Sequence, residues 1–377
     1  VRVVIAPDSF GGSLSAPAAA EAIAAGWART APRDELRRLP LSDGGPGFVD
    51  VLHTALGGEP RELTVAGPLP GQRVSARWLL SDDTGYVEAA QACGLHLVPR
   101  IDPDTAGATT SLGVGELVAD ALAAGVSRLV VGLGGSACTD GGAGLLAALG
   151  GTPLDAHGAE LPGGGAALAR AATLATTPRL PESVELVLAA DVDNPLLGRF
   201  GAAAVFGPQK GADPDAVAEL DAALTRWTEV LGPAYELDPD TLAEAPGGGA
   251  AGGLGAALLA LGARWVSGAE LLRGMAGLDA ALDRADLVLT GEGRFDWQSL
   301  RGKLVTAVAR AAAERGLPCL VLAGQVEVGR REAAAIGVEE AFSVAEHVGG
   351  VPAALADPTG TLGELASAVA AQWSGSR

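Results

Sequence analysis

The sequence predicts an α/β protein: a Rossmann- or flavodoxin-like parallel-sheet domain carrying an inserted second α/β domain, with a cleft between the two. Three observations lead there. Apolar runs of four to six residues recur, each followed by a Gly- or Asp-containing loop and then a helical stretch, as expected of strands covered on both faces by crossover helices. This pattern occupies both ends of the chain, whereas the middle switches to strand-like pieces separated by Gly-Pro and Asp-Asp turns. Finally, 377 residues that are 48% hydrophobic supply more core than one average domain needs. The expected domains are 1–58 plus 283–377, a discontinuous outer domain, and 59–282, an inserted domain bearing a Gly-rich phosphate loop.

In chain order, residues 3–6 read as a short apolar strand, 15–30 as a helix with Ala, Ile and Trp on one side, and 35–40 as a strand leading to Ser42-Asp43-Gly44-Gly45. Residues 49–56 follow as a helix. The pieces 62–65, 72–81 and 86–88 suit a mixed or partly antiparallel sheet. Residues 128–132 are a buried strand feeding the loop 134–144, and 185–190 are a strand ending at Asp191. The stretch 233–255, with Pro246-Gly247-Gly248-Gly249 inside it, reads as a mobile loop. Near the end, 285–290 is a strand entering a Gly-Glu-Gly loop, 303–315 an Ala-rich helix, 319–323 a further strand and 362–373 the closing helix.

Composition excludes several function classes. The formal net charge of −19 repels nucleic acid and anionic lipid alike. Apolar runs break at Gly, Asp or Arg before membrane-spanning length, so no transmembrane segment is expected, and no signal-peptide pattern opens the chain. Cys93, Cys138 and Cys319 lie far apart in sequence, which predicts neither a disulfide framework nor a metal cluster and points to the cytoplasm. The four histidines have no metal-like spacing. Of 26 basic residues only Lys210 and Lys303 are lysines, so each marks a place to look for chemistry.

Four constellations carry that chemistry. Five glycines in 134–144 follow a buried strand, allowing backbone N–H groups to converge on a phosphate or carboxylate with Ser136 and Thr139 beside them; the alternative is a tight turn with close helix packing. Asp191 and Asp193 flank one apolar residue at a strand end, where one could hold Mg2+ and the other orient or deprotonate an alcohol, unless they only form an Asx turn before Asn194-Pro195. Lys210, in Phe206-Gly207-Pro208-Gln209-Lys210-Gly211, is a point charge suited to a transferring phosphoryl group, or a surface turn lysine. The fourth, 290–303, joins Glu292, Arg294, Asp296 and Lys303 around a strand-end loop. Together with Asp8 to Ser13 and Ser42 to Gly45 it would put three acidic loops on one carboxyl edge.

These motifs resemble, over nearly the whole chain, the type I glycerate kinases, bacterial enzymes that phosphorylate D-glycerate with ATP. The resemblance rests on Ala6-Pro7-Asp8-Ser9-Phe10, Asp43-Gly44-Gly45, Gly134-Gly135-Ser136-Ala137, Asp140-Gly141-Gly142-Ala143-Gly144, Asp191-Val192-Asp193-Asn194-Pro195-Leu196, the Lys210 motif and Gly291-Glu292-Gly293-Arg294. It implies two α/β domains and an ATP- and Mg2+-dependent kinase forming 2-phosphoglycerate, as a monomer or homodimer. Asp191 would accept the alcohol proton, with Asp193 and Lys210 as the other catalytic groups. Asp193 and Asp296 would meet Mg2+, and Asp8, Ser13, Asp43, Arg294 and Asp296 would hold the hydroxy acid. Gly134, Gly135, Ser136, Thr139, Asp140, Gly141 and Lys303 would hold the nucleotide. The chain departs from the family pattern at Gly11 (usually Lys), Pro46 (usually Glu), Thr139 (usually Asn) and Trp297 (usually Gly), which leaves open a different small hydroxy acid or a non-catalytic ligand-binding homologue.

Overall fold

The structure, a computed structural model, describes residues 1–42, 44–301 and 304–374. The chain forms two compact units: unit 1 is Val1–Asp43, Asp50–Gly57 and Ala269–Arg377, and unit 2 is Gly44–Val49 and Gly58–Gly268.

Unit 1 is built on a five-stranded, wholly parallel sheet. In chain order its strands are Arg2–Ile5, Glu35–Arg38, Leu287–Thr290, Cys319–Ala323 and Glu340–Ser343, and in space they run second, first, third, fourth, fifth. This is the 2-1-3-4-5 order of flavodoxin-like sheets, whose connections reverse direction between the first and third strands. Successive strand residues point to opposite faces, and both faces are buried. Val4, Val288 and Val321 pack with helix Leu304–Ala313 on one side. On the other, Val3, Ile5, Leu287, Leu289 and Leu320 pack with helices Ala16–Thr30 and Pro358–Trp373.

Local chemistry explains the first of these helices. The Ser15 hydroxyl accepts from the Ala18 N–H at 3.3 Å, Pro17 occupies the first turn, and Trp27 is fully buried with its indole N–H donating to Asp34 at 2.8 Å. The two helices approach so closely that a Cβ on Gly26 would lie 2.1 Å from the Gly363 carbonyl oxygen.

Unit 2 carries a mixed six-stranded sheet. Arg264–Val266, Glu185–Ala189, Arg128–Gly132 and Thr84–Glu88 run parallel in that spatial order, and the hairpin strands Arg73–Ser81 and Glu59–Ala66 continue the sheet antiparallel. Its single core includes Trp78, Leu117, Leu129, Leu188 and Trp227.

Several expectations change. The Gly44–Val49 segment belongs to unit 2, so Gly44-Gly45 does not join the loops at the carboxyl edge of the unit 1 sheet; Asp43 lies outside the described residues. The chain re-enters unit 1 at Ala269, ahead of the anticipated 283. Residues 233–255 are not an open loop. They include helix Pro239–Glu244 and the start of Ala250–Ala260, where Ala251, Gly252 and Gly253 take left-handed conformations in a buried turn. A Cβ on Gly252 would lie 1.9 Å from the Cys138 carbonyl oxygen, so this glycine serves close backbone contact.

Replacing Gly26 by Ala should destabilise unit 1 by about 1–3 kcal/mol through overpacking, which outweighs a helix-propensity gain of at most about 1 kcal/mol. Urea unfolding followed by circular dichroism measures this.

Candidate functional site

At the carboxyl edge of the unit 1 sheet, the loops after Arg2–Ile5 and Leu287–Thr290 flank the topological switch point. The backbone locks them together: the Asp8 N–H donates to the Gly291 carbonyl at 2.8 Å, and the Thr290 hydroxyl to the Ala6 carbonyl at 2.8 Å. They border a cavity of about 530 Å³ onto which Asp8, Ser13, Glu292, Arg294 and Asp296 all open. Four of these were anticipated as hydroxy-acid ligands; Glu292 was seen only as part of its motif.

Each side chain is held by its own loop. The Asp8 carboxylate accepts from the Ser9 N–H at 2.6 Å, and the Ser13 N–H and hydroxyl both donate to the Phe10 carbonyl, at 2.9 and 2.6 Å. Asp296 accepts from the Gln298 N–H at 2.8 Å, while exposed Arg294 reaches Gln325 at 3.3 Å and Glu327 at 3.7 Å. Glu292 is buried. Its flanking glycines are required by packing, because a Cβ on Gly291 would lie 2.0 Å from the Leu322 carbonyl oxygen and one on Gly293 3.0 Å from the Phe10 backbone. The Gly-Glu-Gly sequence at a strand end was the signal that could have singled Glu292 out. Lys303, expected on this side, lies outside the described residues.

In unit 2 the Gly-rich loop divides into two parts with different roles. Asp140, fully buried, governs the second. Its Oδ2 accepts from the Ser111 N–H (2.7 Å), the Ser111 hydroxyl (2.9 Å), the Thr110 hydroxyl (3.2 Å) and the Gly144 N–H (3.2 Å), and its Oδ1 accepts from the Gly142 N–H (3.2 Å). The Gly141 N–H donates to Gly252, the Ala143 N–H to the Asp140 carbonyl and the Leu145 N–H to the Ser111 hydroxyl. The donors that were expected to converge on a phosphate are thus taken, and the helix they open, Ala143–Ala148, has only six residues. Gly141 and Gly142 answer to packing instead: Cβ atoms there would lie 2.4 Å from the Trp227 ring and 2.4 Å from the Ala257 side chain. Asp140 and Gly141 are framework, and the Thr139 hydroxyl is buried with no hydrogen-bond partner.

The outward part is Gly134 and Gly135; Ser136 beside them is buried. Gly135 is exposed in a left-handed conformation, Gly134 donates its N–H to Gly44 at 3.1 Å, and a Cβ on Gly135 would lie 2.7 Å from the Pro46 ring. The Gly44–Val49 segment is itself held by Glu88, a buried residue at a strand end whose carboxylate accepts from the Gly47 and Val49 N–H groups at 3.1 and 3.2 Å. Nothing in the sequence marked Glu88.

Lys210 is no surface turn lysine. Its ammonium is buried and donates to the Cys138 carbonyl at 2.6 Å and to the Ser136 hydroxyl at 3.4 Å, bracing the loop from beneath; burial pushes its pKa below the ordinary lysine value. Beside it, Cys93 and Cys138, distant in sequence, bring their thiol sulfurs to 3.6 Å as free cysteines, and the contact with Cys93 together with burial raises the Cys138 pKa. Asp191 stands exposed beyond Glu185–Ala189, accepting from the Ser267 hydroxyl at 2.7 Å, and Asp193 is exposed in the same turn, which Asn194 closes through the Phe200 carbonyl at 2.8 Å. Among the described residues no group of three or more His, Cys, Asp or Glu is placed to hold a metal ion.

Replacing Asp140 by Ala strands several buried donors at once and should cost unit 2 more than about 3 kcal/mol, read as a lowered urea midpoint. For Lys210 the sign follows from its lowered pKa: the unfolded chain binds the proton more tightly, so stability rises with pH between the depressed folded value and the ordinary lysine value. Lys210→Met should abolish that alkaline rise in unfolding midpoints measured across the window.

Comparison with known proteins places this geometry. The Glycerate kinase family model matches residues 3–374. An uncharacterized Mycobacterium bovis protein is 48% identical over 99% of this chain and 91% of its own length. The Escherichia coli (strain K12) protein named glycerate 2-kinase is 41% identical over 93% of this chain and 92% of its own. A crystal structure assigned to glycerate kinase 2 of Salmonella typhimurium LT2 superposes with a TM-score of 0.80 at 39% identity, covering 100% of this chain and 98% of that one. With a family match running almost from end to end, the chain belongs to the glycerate kinase family.

Proposed function

We propose that this protein transfers a phosphoryl group from ATP to a small hydroxy acid, D-glycerate first, yielding 2-phosphoglycerate. The observation that carries the reading is the convergence of Asp8, Ser13, Arg294 and Asp296 on one cavity at the unit 1 switch point, where open α/β sheets bind ligands. Family membership supplies the reaction class.

In this reading the Arg294 fork takes the substrate carboxylate, and Ser13 and Asp8 receive its hydroxyl groups. Asp191, exposed and oriented by Ser267, accepts the proton of the attacking alcohol. The outward backbone of Gly134 and Gly135 faces phosphate, while Lys210 serves as a positioning residue that fixes this loop through the Cys138 carbonyl and the buried Ser136 hydroxyl. Among the described residues the carboxylates form no three-ligand metal site, but a Mg2+ ion that arrives on the nucleotide needs only one or two protein carboxylates beside phosphate and water, and Asp8 and Asp296 on the cavity would supply them. Asp193 offers a further carboxylate in unit 2. When bound, the ion neutralises phosphate charge. The reading implies the cytoplasm, consistent with three free cysteines and with the absence, among the described residues, of any helix long and apolar enough to cross a membrane.

A second reading, a related and bulkier hydroxy acid, is favoured by Gly11, which borders the cavity and has nothing within 4 Å of where a Cβ would stand. A coupled ADP-release assay with D-glycerate, L-glycerate and a panel of small hydroxy acids separates the two, and release with none of them defeats both. Asp191→Asn should lower kcat by about 10²-fold or more with an unchanged unfolding midpoint. Arg294→Met should raise the hydroxy-acid KM about tenfold or more while the ATP KM stays put.

A further inference from the structure

We propose that the apolar cavity of unit 2, between the 66–73 turn and helix Ala143–Ala148, is where the nucleobase of the phosphoryl donor binds. The proposal rests on the kinase reading above. The cavity measures about 380 Å³, within the range of small-molecule sites, and Leu69, Leu112, Ala147, Leu161 and Leu168 are among the apolar residues that line it.

Of its four polar side chains, Gln72, Arg73 and Thr110 are already committed, and the fourth, Thr152, is an uncharged hydroxyl. The Gln72 amide donates to the Leu97 carbonyl at 3.0 Å and accepts from the Leu69 N–H at 3.1 Å. Arg73 pairs with Glu116 at 3.3 Å and also donates to the Thr64 carbonyl at 2.5 Å. The Thr110 hydroxyl donates to Asp140 at 3.2 Å and accepts from the Leu112 N–H at 3.2 Å. The wall therefore offers apolar contact and no uncommitted charge.

That combination selects among the substrates of a hydroxy-acid kinase. A hydroxy-acid carboxylate or a phosphate placed here would lose its water without gaining a cationic partner, a severe desolvation cost, and would stand near the Asp140 carboxylate behind Thr110 and Gly144. The flat, uncharged ring system of the nucleotide gains from the same wall. Gly67, Gly71 and Gly163 line the cavity without side chains, so the polar edge of a base meets main chain. Continuity supports the assignment: Ala143 and Gly144, on the cavity wall, end the same loop whose outward beginning, Gly134-Gly135, is assigned to phosphate.

The test fills the cavity in the full-length protein from two sides, with Ala147→Trp and Ala108→Leu, and measures ADP binding by isothermal titration calorimetry. Circular dichroism and thermal unfolding identify the folded variants. The expected result is at least a tenfold loss of ADP affinity in each folded variant, with the hydroxy-acid KM within twofold of the parent. ADP affinity within twofold of the parent in a folded variant overturns the cavity assignment and leaves the kinase reading standing. Loss of ADP binding in the variants, combined with no phosphorylation of any hydroxy acid by the parent, overturns the kinase reading and upholds the nucleotide cavity. Failure of the parent to bind ADP overturns both.

Discussion

The buried carboxylate of Asp140 is the interaction on which the architecture of unit 2 turns. Five glycines between residues 134 and 144 give this stretch of backbone wide conformational freedom, and that freedom costs entropy to remove. Asp140 removes it by gathering hydrogen bonds from Ser111, Thr110, Gly142 and Gly144, tying the loop to the start of helix Leu112–Ala123. Trp227 then closes on Gly141, its indole N–H donating to the Gly141 carbonyl at 2.9 Å, and Lys210 braces the loop from within at Cys138. A glycine-rich segment that could have been a mobile flap is a rigid shelf, with its first two residues, Gly134 and Gly135, turned outward.

Unit 1 reaches a defined site by a different route. Its parallel strands deliver loops to one edge, and the switch point decides which two loops flank a gap. This edge carries the buried Glu292. It is organised by backbone bonds between adjacent loops and by glycines on either side of Glu292, which let the chain pass Leu322 and Phe10 at contact distance. Unit 1 thus lines its cavity with carboxylates and Arg294, and unit 2 exposes glycine backbone at Gly135.

Much of this was legible in the sequence where local chemistry and final geometry coincide. Ser15 followed by Ala16-Pro17 announces a helix start, apolar runs ending in Gly or Asp announce parallel strands, and Asp8 and Arg294 could be placed at one edge because a parallel sheet puts successive strand ends together. What failed to show depends on partners far away in the chain. Lys210 between glycines looks exposed, and only the packing of the 134–144 loop buries it. Gly44 to Val49 follows a unit 1 strand yet packs with unit 2, because Glu88 supplies the acceptor for its N–H groups. Cys93 and Cys138 meet across an isolated bridge between Gly94 and Ser136, a contact that spacing along the chain cannot express. The glycines of 247–253 read as an open loop, yet several are dictated by backbone approaching backbone inside a core.

The strand order of unit 1 also bears on how the chain is made. Arg2–Ile5 precedes the other strands of its sheet in the chain but is an interior strand, and its pairing with Leu287–Thr290 joins residues 284 positions apart. At ribosomal rates of about 5–20 residues per second, that partner emerges roughly 15–60 s later. Through this interval the apolar faces of the first strand and of helix Ala16–Thr30 lack their C-terminal partners, while every strand of the unit 2 sheet becomes available. Every strand of the unit 2 sheet is therefore translated before the five-stranded sheet of unit 1 can be completed.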